Sequence, residues 1–107
     1  MATIIYGIPT CDSVRKARQW LNAQHIEHTF VDVRESTPSK ALIDEWLTRL
    51  GAEKLVNKRS TTWKNMSDSE RHEAQSGDTA AVLIANPTLI KRPVLSHDSV
   101  LDVGFKA

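Results

Sequence analysis

Thr3-Ile4-Ile5-Tyr6-Gly7-Ile8-Pro9-Thr10-Cys11-Asp12-Ser13-Val14-Arg15-Lys16-Ala17 decides how this chain folds. Thr3 to Tyr6 is an apolar, β-branched and aromatic run that reads as a short buried strand. Gly7 and Pro9 break it into a turn. Val14, Ala17 and Leu21 then recur at three- and four-residue spacing, which predicts a helix from about Ser13 to Gln24. The chain's single cysteine, Cys11, falls at the mouth of this strand–turn–helix unit. Unpaired N–H groups at a helix start carry partial positive charge and favour a thiolate, the reactive form of the side chain. A lone Cys in a small protein is ordinarily a buried, inert apolar residue. Here the Gly-x-Pro turn before it and the cap-type residues Asp12 and Ser13 after it speak for a reactive thiol.

Beyond the first helix, His28 to Val33 alternates and carries β-branched and aromatic residues, a second strand. Strand, helix and strand make a βαβ unit, which favours parallel pairing. Thr37 is a suitable N-cap and Pro38 a suitable first residue for a helix whose stripe is Leu42, Ile43, Trp46, Leu47 and Leu50, ended by Gly51. From Ala52 to Met66 the pattern weakens, and Lys58 to Thr62 reads as a polar loop. Ser67-Asp68-Ser69-Glu70 has capping-box spacing for a short helix that Gly77 stops. Asp78 caps a further, nearly all-apolar helix that ends at Asn86-Pro87. Leu89 to Leu95, a turn over Ser96 to Ser99, and Val100 to Phe105 read as an antiparallel hairpin. The fold class is therefore α/β: a thioredoxin-like sheet with an all-helical insertion, about residues 38–87, between the βαβ unit and a C-terminal β-hairpin. The chain, 1–107, is expected to be one domain. A closing C-terminal helix would be expected in such a fold and is either missing or beyond residue 107.

With 107 residues, 40% apolar and 25% charged, the composition is ordinary for a globular domain. The net charge of +1 and the lack of any block of like charge give no footprint for nucleic acid or a membrane surface. No signal peptide or membrane-spanning run is present, and one cysteine excludes an internal disulfide framework, so a reducing cytoplasm is the expected location. His25, His28, His72 and His97 are too scattered to make a metal site with Cys11.

Gly7 to Ala17, together with Asn86-Pro87-Thr88-Leu89-Ile90-Lys91-Arg92-Pro93, resembles the arsenate reductase (ArsC)/Spx family, and within it the YffB-like branch of proposed glutathione-dependent thiol reductases. The resemblance spans nearly the whole chain. It implies a thioredoxin-like fold with a helical insertion, a nucleophilic cysteine after the first strand, here Cys11, and an arginine before a cis-proline facing it, here Arg92 and Pro93. Arsenate reductases of this family use further basic residues around the oxyanion. Here those positions offer Asn57 or Arg59, depending on register, and Lys106 in place of an arginine. Many Spx-type regulators carry Cys-x-x-Cys. The second position here is Val14, so no internal redox switch exists.

Thiol–disulfide exchange needs a thiolate, an electrophile and a second thiol that releases the product. Cys11 supplies only the first. Glutathione is the expected co-substrate, with glutaredoxin as an alternative resolving partner. No bound cofactor or metal is expected, and a monomer is. Arg92 would stabilise the thiolate and grip a carboxylate or oxyanion. Thr10 and Ser13 could donate hydrogen bonds to the sulfur or simply cap the helix. Asp12 is a capping residue first. Arg15, one turn on, could add positive potential. Pro93, Arg59 and Lys106 complete the candidate substrate-binding set. Arsenate reductase and a non-enzymatic Spx-like adaptor that binds RNA polymerase are the competing readings.

Overall fold

The computed structural model describes residues 3–97 and 100–104. The chain divides into two compact units, one formed by residues up to Ser36 and from Arg92 onward, the other by Thr37–Lys91.

The first unit is built on a four-stranded sheet of order β2-β1-β3-β4, with β1 at Thr3–Gly7, β2 at Thr29–Asp32, β3 at Val94–His97 and β4 at Val100–Val103. β1 lies centrally, parallel to β2 and antiparallel to β3, and β3 runs antiparallel to β4. Its near-continuous apolar sequence fits this place, because a strand paired on both edges and covered by packing gains from side chains on both faces. Helix α1, Asp12–Ala23, is the crossover that a parallel β1–β2 pair requires. Its periodic residues Val14, Ala17 and Leu21 are buried. Ala17 and Leu21 pack with Ile5, flanked by Ile26, Phe30 and Leu95. Arg18 leaves the apolar face and lays its guanidinium over the Phe30 ring, 4.4 Å from the centroid. Trp20, expected at the border of the apolar side, is 43% exposed.

α1 ends in a Schellman motif. Ile26 N–H donates to Leu21 C=O at 2.9 Å and His25 N–H to Asn22 C=O at 3.1 Å, while Ile26 packs on the same cluster as Leu21. His25 holds the left-handed position, with φ of 57°.

The second unit is helical: α2 Lys40–Leu50, α3 Ala52–Leu55, α4 Thr61–Lys64, α5 Asp68–Ser76, α6 Thr79–Ala85 and a 3-10 turn at Pro87–Leu89. Ile43, Trp46, Leu55, Ala74, Ala80, Leu83, Leu89 and Ile90 are buried. The capping box on α5 forms as its spacing predicts: Ser67 Oγ accepts from Glu70 N–H at 3.2 Å and Glu70 Oε1 accepts from Ser67 N–H at 3.0 Å. These bonds favour the ionised carboxylate and hold Glu70 below its ordinary range. Asp78 caps α6 through Ala81 N–H, also as expected.

Three expectations are corrected. The N-cap of α2 is Ser39, whose hydroxyl accepts from Leu42 N–H at 3.2 Å, so Thr37 and Pro38 lie outside the helix. Two cap-type residues flank Pro38, and the one nearer the apolar stripe wins. The polar loop expected over Lys58 to Thr62 ends at Ser60, because Thr61 and Thr62 open α4, and Ala52–Leu55, where the pattern weakens, is a short helix. α4 forms because Ser60 caps Trp63 N–H and because Arg71 donates to the Trp63 and Lys64 carbonyls, both at 3.1 Å, a long-range tie with no local sequence pattern. The first hairpin strand begins at Val94, not Leu89. Leu89 closes the 3-10 turn and Ile90 makes an isolated antiparallel bridge to Val56, where Lys91 N–H donates to Leu55 C=O at 2.7 Å. Strand pairing extends through His97 and Val100, so the predicted turn at Ser96 to Ser99 is too wide. The residues that join the two strands lie outside those described.

A histidine in the left-handed region carries a steric cost that glycine escapes, partly offset by the freedom glycine regains on unfolding. His25→Gly is expected to stabilise the protein by about 0.5–1 kcal/mol, read as a higher denaturant midpoint at unchanged slope. An unchanged or lower midpoint would mean that the imidazole makes good the cost.

Candidate functional site

The loop from Ile8 to Cys11 joins β1 to α1. Cys11 N–H donates to Ile8 C=O at 3.1 Å, closing a tight turn, and Cys11 C=O accepts from Arg15 N–H at 2.9 Å, starting the helix. Cys11 is thus the N-cap of α1, in extended conformation, and its side chain makes no capping hydrogen bond. This corrects the reading of Asp12 and Ser13 as caps: both lie within the helix. Cys11 is a free thiol, half-buried. Thr10 is exposed and Ser13 half-buried.

Gly7 places this loop through space rather than backbone angle. A Cβ built on it would lie 2.5 Å from Val14 Cγ2 and 3.1 Å from Cγ1. Val14 is fully buried, so the first turn of α1 rests directly on the end of β1. Gly7 C=O also accepts from Val33 N–H at 3.0 Å.

Asp12 and Arg15 form an ion pair across the first turn of α1. The Arg15 guanidinium holds the Asp12 carboxyl below the ordinary carboxylate range, with a smaller contribution from Lys16. A depressed carboxyl stays ionised at neutral pH, so the pair is lost only as acid protonates Asp12. Opposite charges three residues apart are the signal in the sequence, and the pair replaces the expected roles of Asp12 as a cap and Arg15 as a source of positive potential.

Arg92 and Pro93 immediately precede β3, and the bond between them is cis. Tyr6 pairs with Val94, so Arg92, Pro93 and the loop that follows Gly7 lie at the same end of the sheet. Pro93 is buried and its C=O accepts from Gly104 N–H at 2.9 Å. Arg92 is half-buried, with Nε withdrawn from solvent. The first unit therefore brings Thr10, Cys11, Asp12, Ser13, Arg15, Arg92 and Pro93 to one sheet end. Arg59 belongs to the second unit, exposed, in a turn where Asn57 Oδ1 accepts from its N–H at 3.1 Å. Lys106 lies outside the described residues. Among the described residues, no group of three or more His, Cys, Asp or Glu side chains could hold a metal ion, and no helix is long and apolar enough to cross a membrane.

A parallel–antiparallel sheet of order β2-β1-β3-β4, a thiol at the first helix N-cap and a cis-proline at the same sheet end define a thioredoxin-like domain with a helical insertion. The chain belongs to the ArsC family, whose sequence profile matches residues 6–107. An uncharacterised protein of Haemophilus influenzae is 40% identical over 94% of this chain and 89% of its own length. The regulatory protein MgsR of Bacillus subtilis is 30% identical over 94% of this chain and 80% of its own length. Among solved structures, the YffB protein superposes with a TM-score of 0.91 at 28% identity, covering 98% of this chain and 92% of that one. An ArsC-related protein of Brucella melitensis gives 0.80 at 35% identity, covering 99% and 88%.

Gly7→Ala is expected to cost about 1–3 kcal/mol, because overpacking forces Val14 or the helix to move. Adding Val14→Ala removes both clashing methyl groups, so the double variant should lose less than the sum of the singles by at least about 0.5 kcal/mol. Strict additivity in chemical denaturation would refute the contact as the cause.

Proposed function

We propose that this protein is a glutathione-linked thiol reductase that acts through Cys11. The observation that carries the proposal is a single, half-exposed thiol at the N-cap of α1 in a chain of the ArsC family. A thiolate at that position gains from the first-turn amides. It attacks a disulfide R–S–S–R′, forms Cys11–S–S–R and releases R′–S⁻. With no second cysteine in the chain, the resolving thiol comes from outside. Glutathione thiolate attacks the R sulfur of the mixed disulfide, forming G–S–S–R and releasing the Cys11 thiolate. A second glutathione attacks G–S–S–R to give oxidised glutathione and R–S⁻, so that two glutathiones supply the two electrons; glutaredoxin is the alternative resolving partner. Arg92, at the same sheet end, takes the role of binding a substrate carboxylate through its guanidinium fork. Thr10, Ser13 and Pro93 line that end. A monomer in the cytoplasm, with no resident cofactor, fits this chemistry.

Relatives named as regulators favour a second reading: the regulatory protein MgsR, and the global transcriptional regulator Spx 2 of Bacillus anthracis, 25% identical over 95% of this chain. A Spx-like adaptor would bind a partner such as RNA polymerase without turnover. Catalytic reduction of a glutathione mixed disulfide separates the two.

Oxidised glutathione should add one glutathione to Cys11, and reduced glutathione should remove it. Intact mass spectrometry of the protein and of Cys11→Ser reads both steps. An accessible Cys11 that stays unmodified sinks the monothiol mechanism.

Arsenate reduction should be weak or absent. Holding a compact oxyanion beside a thiolate puts like charges together, and several fixed cations must offset the repulsion. Arg92 is one such cation, while Arg15 is held by Asp12. Glutathione spreads its charge over several groups and needs fewer. Efficient arsenate turnover in steady-state assays, lost on Arg59→Ala, would restore the arsenate reductase reading.

A further inference from the structure

The residue next to Cys11 carries a negative charge at a helix end that otherwise attracts anions. Asp12 is the first residue of α1, and its carboxylate is paired with Arg15 in the same turn. Arg15 and Lys16 are the cations closest in sequence to the thiol. Without Asp12, both would add to the positive potential of the first-turn amides and draw any anionic partner toward the sulfur. With it, one guanidinium is matched on the protein surface by the carboxylate of the residue that follows the thiol in the chain. The pair is solvated, with 78% of the Asp12 side chain and 59% of the Arg15 side chain exposed. Its effect on an incoming partner is therefore one of charge acting through water, not of direct contact, and it must weaken with salt.

We propose that Asp12 is a specificity-determining residue: by pairing with Arg15 in the first turn of the helix that Cys11 caps, it slows the reaction of Cys11 with multiply charged anions relative to neutral and cationic partners. The substrate class that follows is a disulfide of low net charge. The inference rests on the reading of Cys11 as the nucleophile.

Three disulfides that differ in charge test it: 5,5′-dithiobis(2-nitrobenzoate), a dianion; 2-hydroxyethyl disulfide, neutral; and cystamine, a dication. In each, the Cys11 thiolate forms one S–S bond as the probe's own breaks, and a thiolate leaves. Any change in the thiolate fraction of Cys11 multiplies all three rates equally, so the ratio of dianion to dication isolates the charge term. At low ionic strength, Asp12→Asn should speed the dianion and slow the dication by about two- to fivefold each, the size expected of one charge acting over roughly 6–10 Å of water. The neutral probe should stay between them. Adding Arg15→Gln should return most of the ratio toward that of the parent, and high salt should erase the difference. A ratio that Asp12→Asn leaves unchanged overturns the role of Asp12. A ratio that Arg15→Gln does not lower overturns the holding of Arg15. If the parent Cys11 reacts with none of the three probes, the nucleophile reading itself falls and the role of Asp12 falls with it, an outcome distinct from the other two.

Discussion

The close approach of Val14 to the α carbon of Gly7 is the constraint on which the reactive end of this protein depends. A side chain at Gly7 would lie within 2.5 Å of a buried methyl group, so the first turn of α1 can rest on β1 only because nothing projects there. With the helix that close to the strand, the connection must be short, and the Cys11-to-Ile8 hydrogen bond closes it. The thiol then cannot sit in the strand or in mid-helix; it takes the N-cap. The same glycine carbonyl receives Val33 N–H, so β1, the start of α1 and the end of β2 are fixed together at one end of the sheet. Pairing of Tyr6 with Val94 adds the Arg92–Pro93 segment to that end.

What the sequence made legible follows from local periodicity. The strand, turn and helix from Thr3 to Leu21, the Ser67–Glu70 capping box and the Asp78 cap are all encoded in a few consecutive residues, and the structure has them where the pattern puts them. What was misread depends on distant partners. α4 leans on Arg71, whose contacts at Trp63 and Lys64 lie eight and seven residues away. Ile90 reads as strand because it is apolar and β-branched, but its backbone answers to Val56. At the site, the position of Cys11 was visible from spacing alone. Arg92 and Pro93 were not: nothing local separates them from any basic residue before a strand, and only the register of β1 with β3 brings them to the thiol's end of the sheet.

Fold and family leave the activity open, because one scaffold carries different functions according to its site. Among the relatives stand a regulatory protein and an arsenate reductase-related protein, the second of which shares the fold. The groups that set the chemistry of this site lie at the start of α1. Val14 stands where a resolving cysteine would make an internal switch, and it is buried against Gly7. Asp12 then sets the charge of the turn.

The choice of cysteine at the N-cap is itself an argument about function. Serine, threonine, aspartate or asparagine at that position would accept a hydrogen bond from the first-turn amides and stabilise the helix by about 1 kcal/mol relative to a side chain that does not. Cys11 makes no such bond. Nor does it fill the core: it is half-buried, while Val14, Ala17 and Leu21 supply the packing of the helix. Neither capping nor packing therefore accounts for a thiol here, where three of the next four cap positions in the chain, Ser39, Ser60 and Ser67, carry serine with a formed cap bond. A residue that breaks the local rule its neighbours obey, without a structural gain, is where a reactive group is to be sought. Amides left uncapped by the side chain remain directed at the sulfur's end of the helix, and they stabilise negative charge there whether it arises on the thiolate or on the group it attacks.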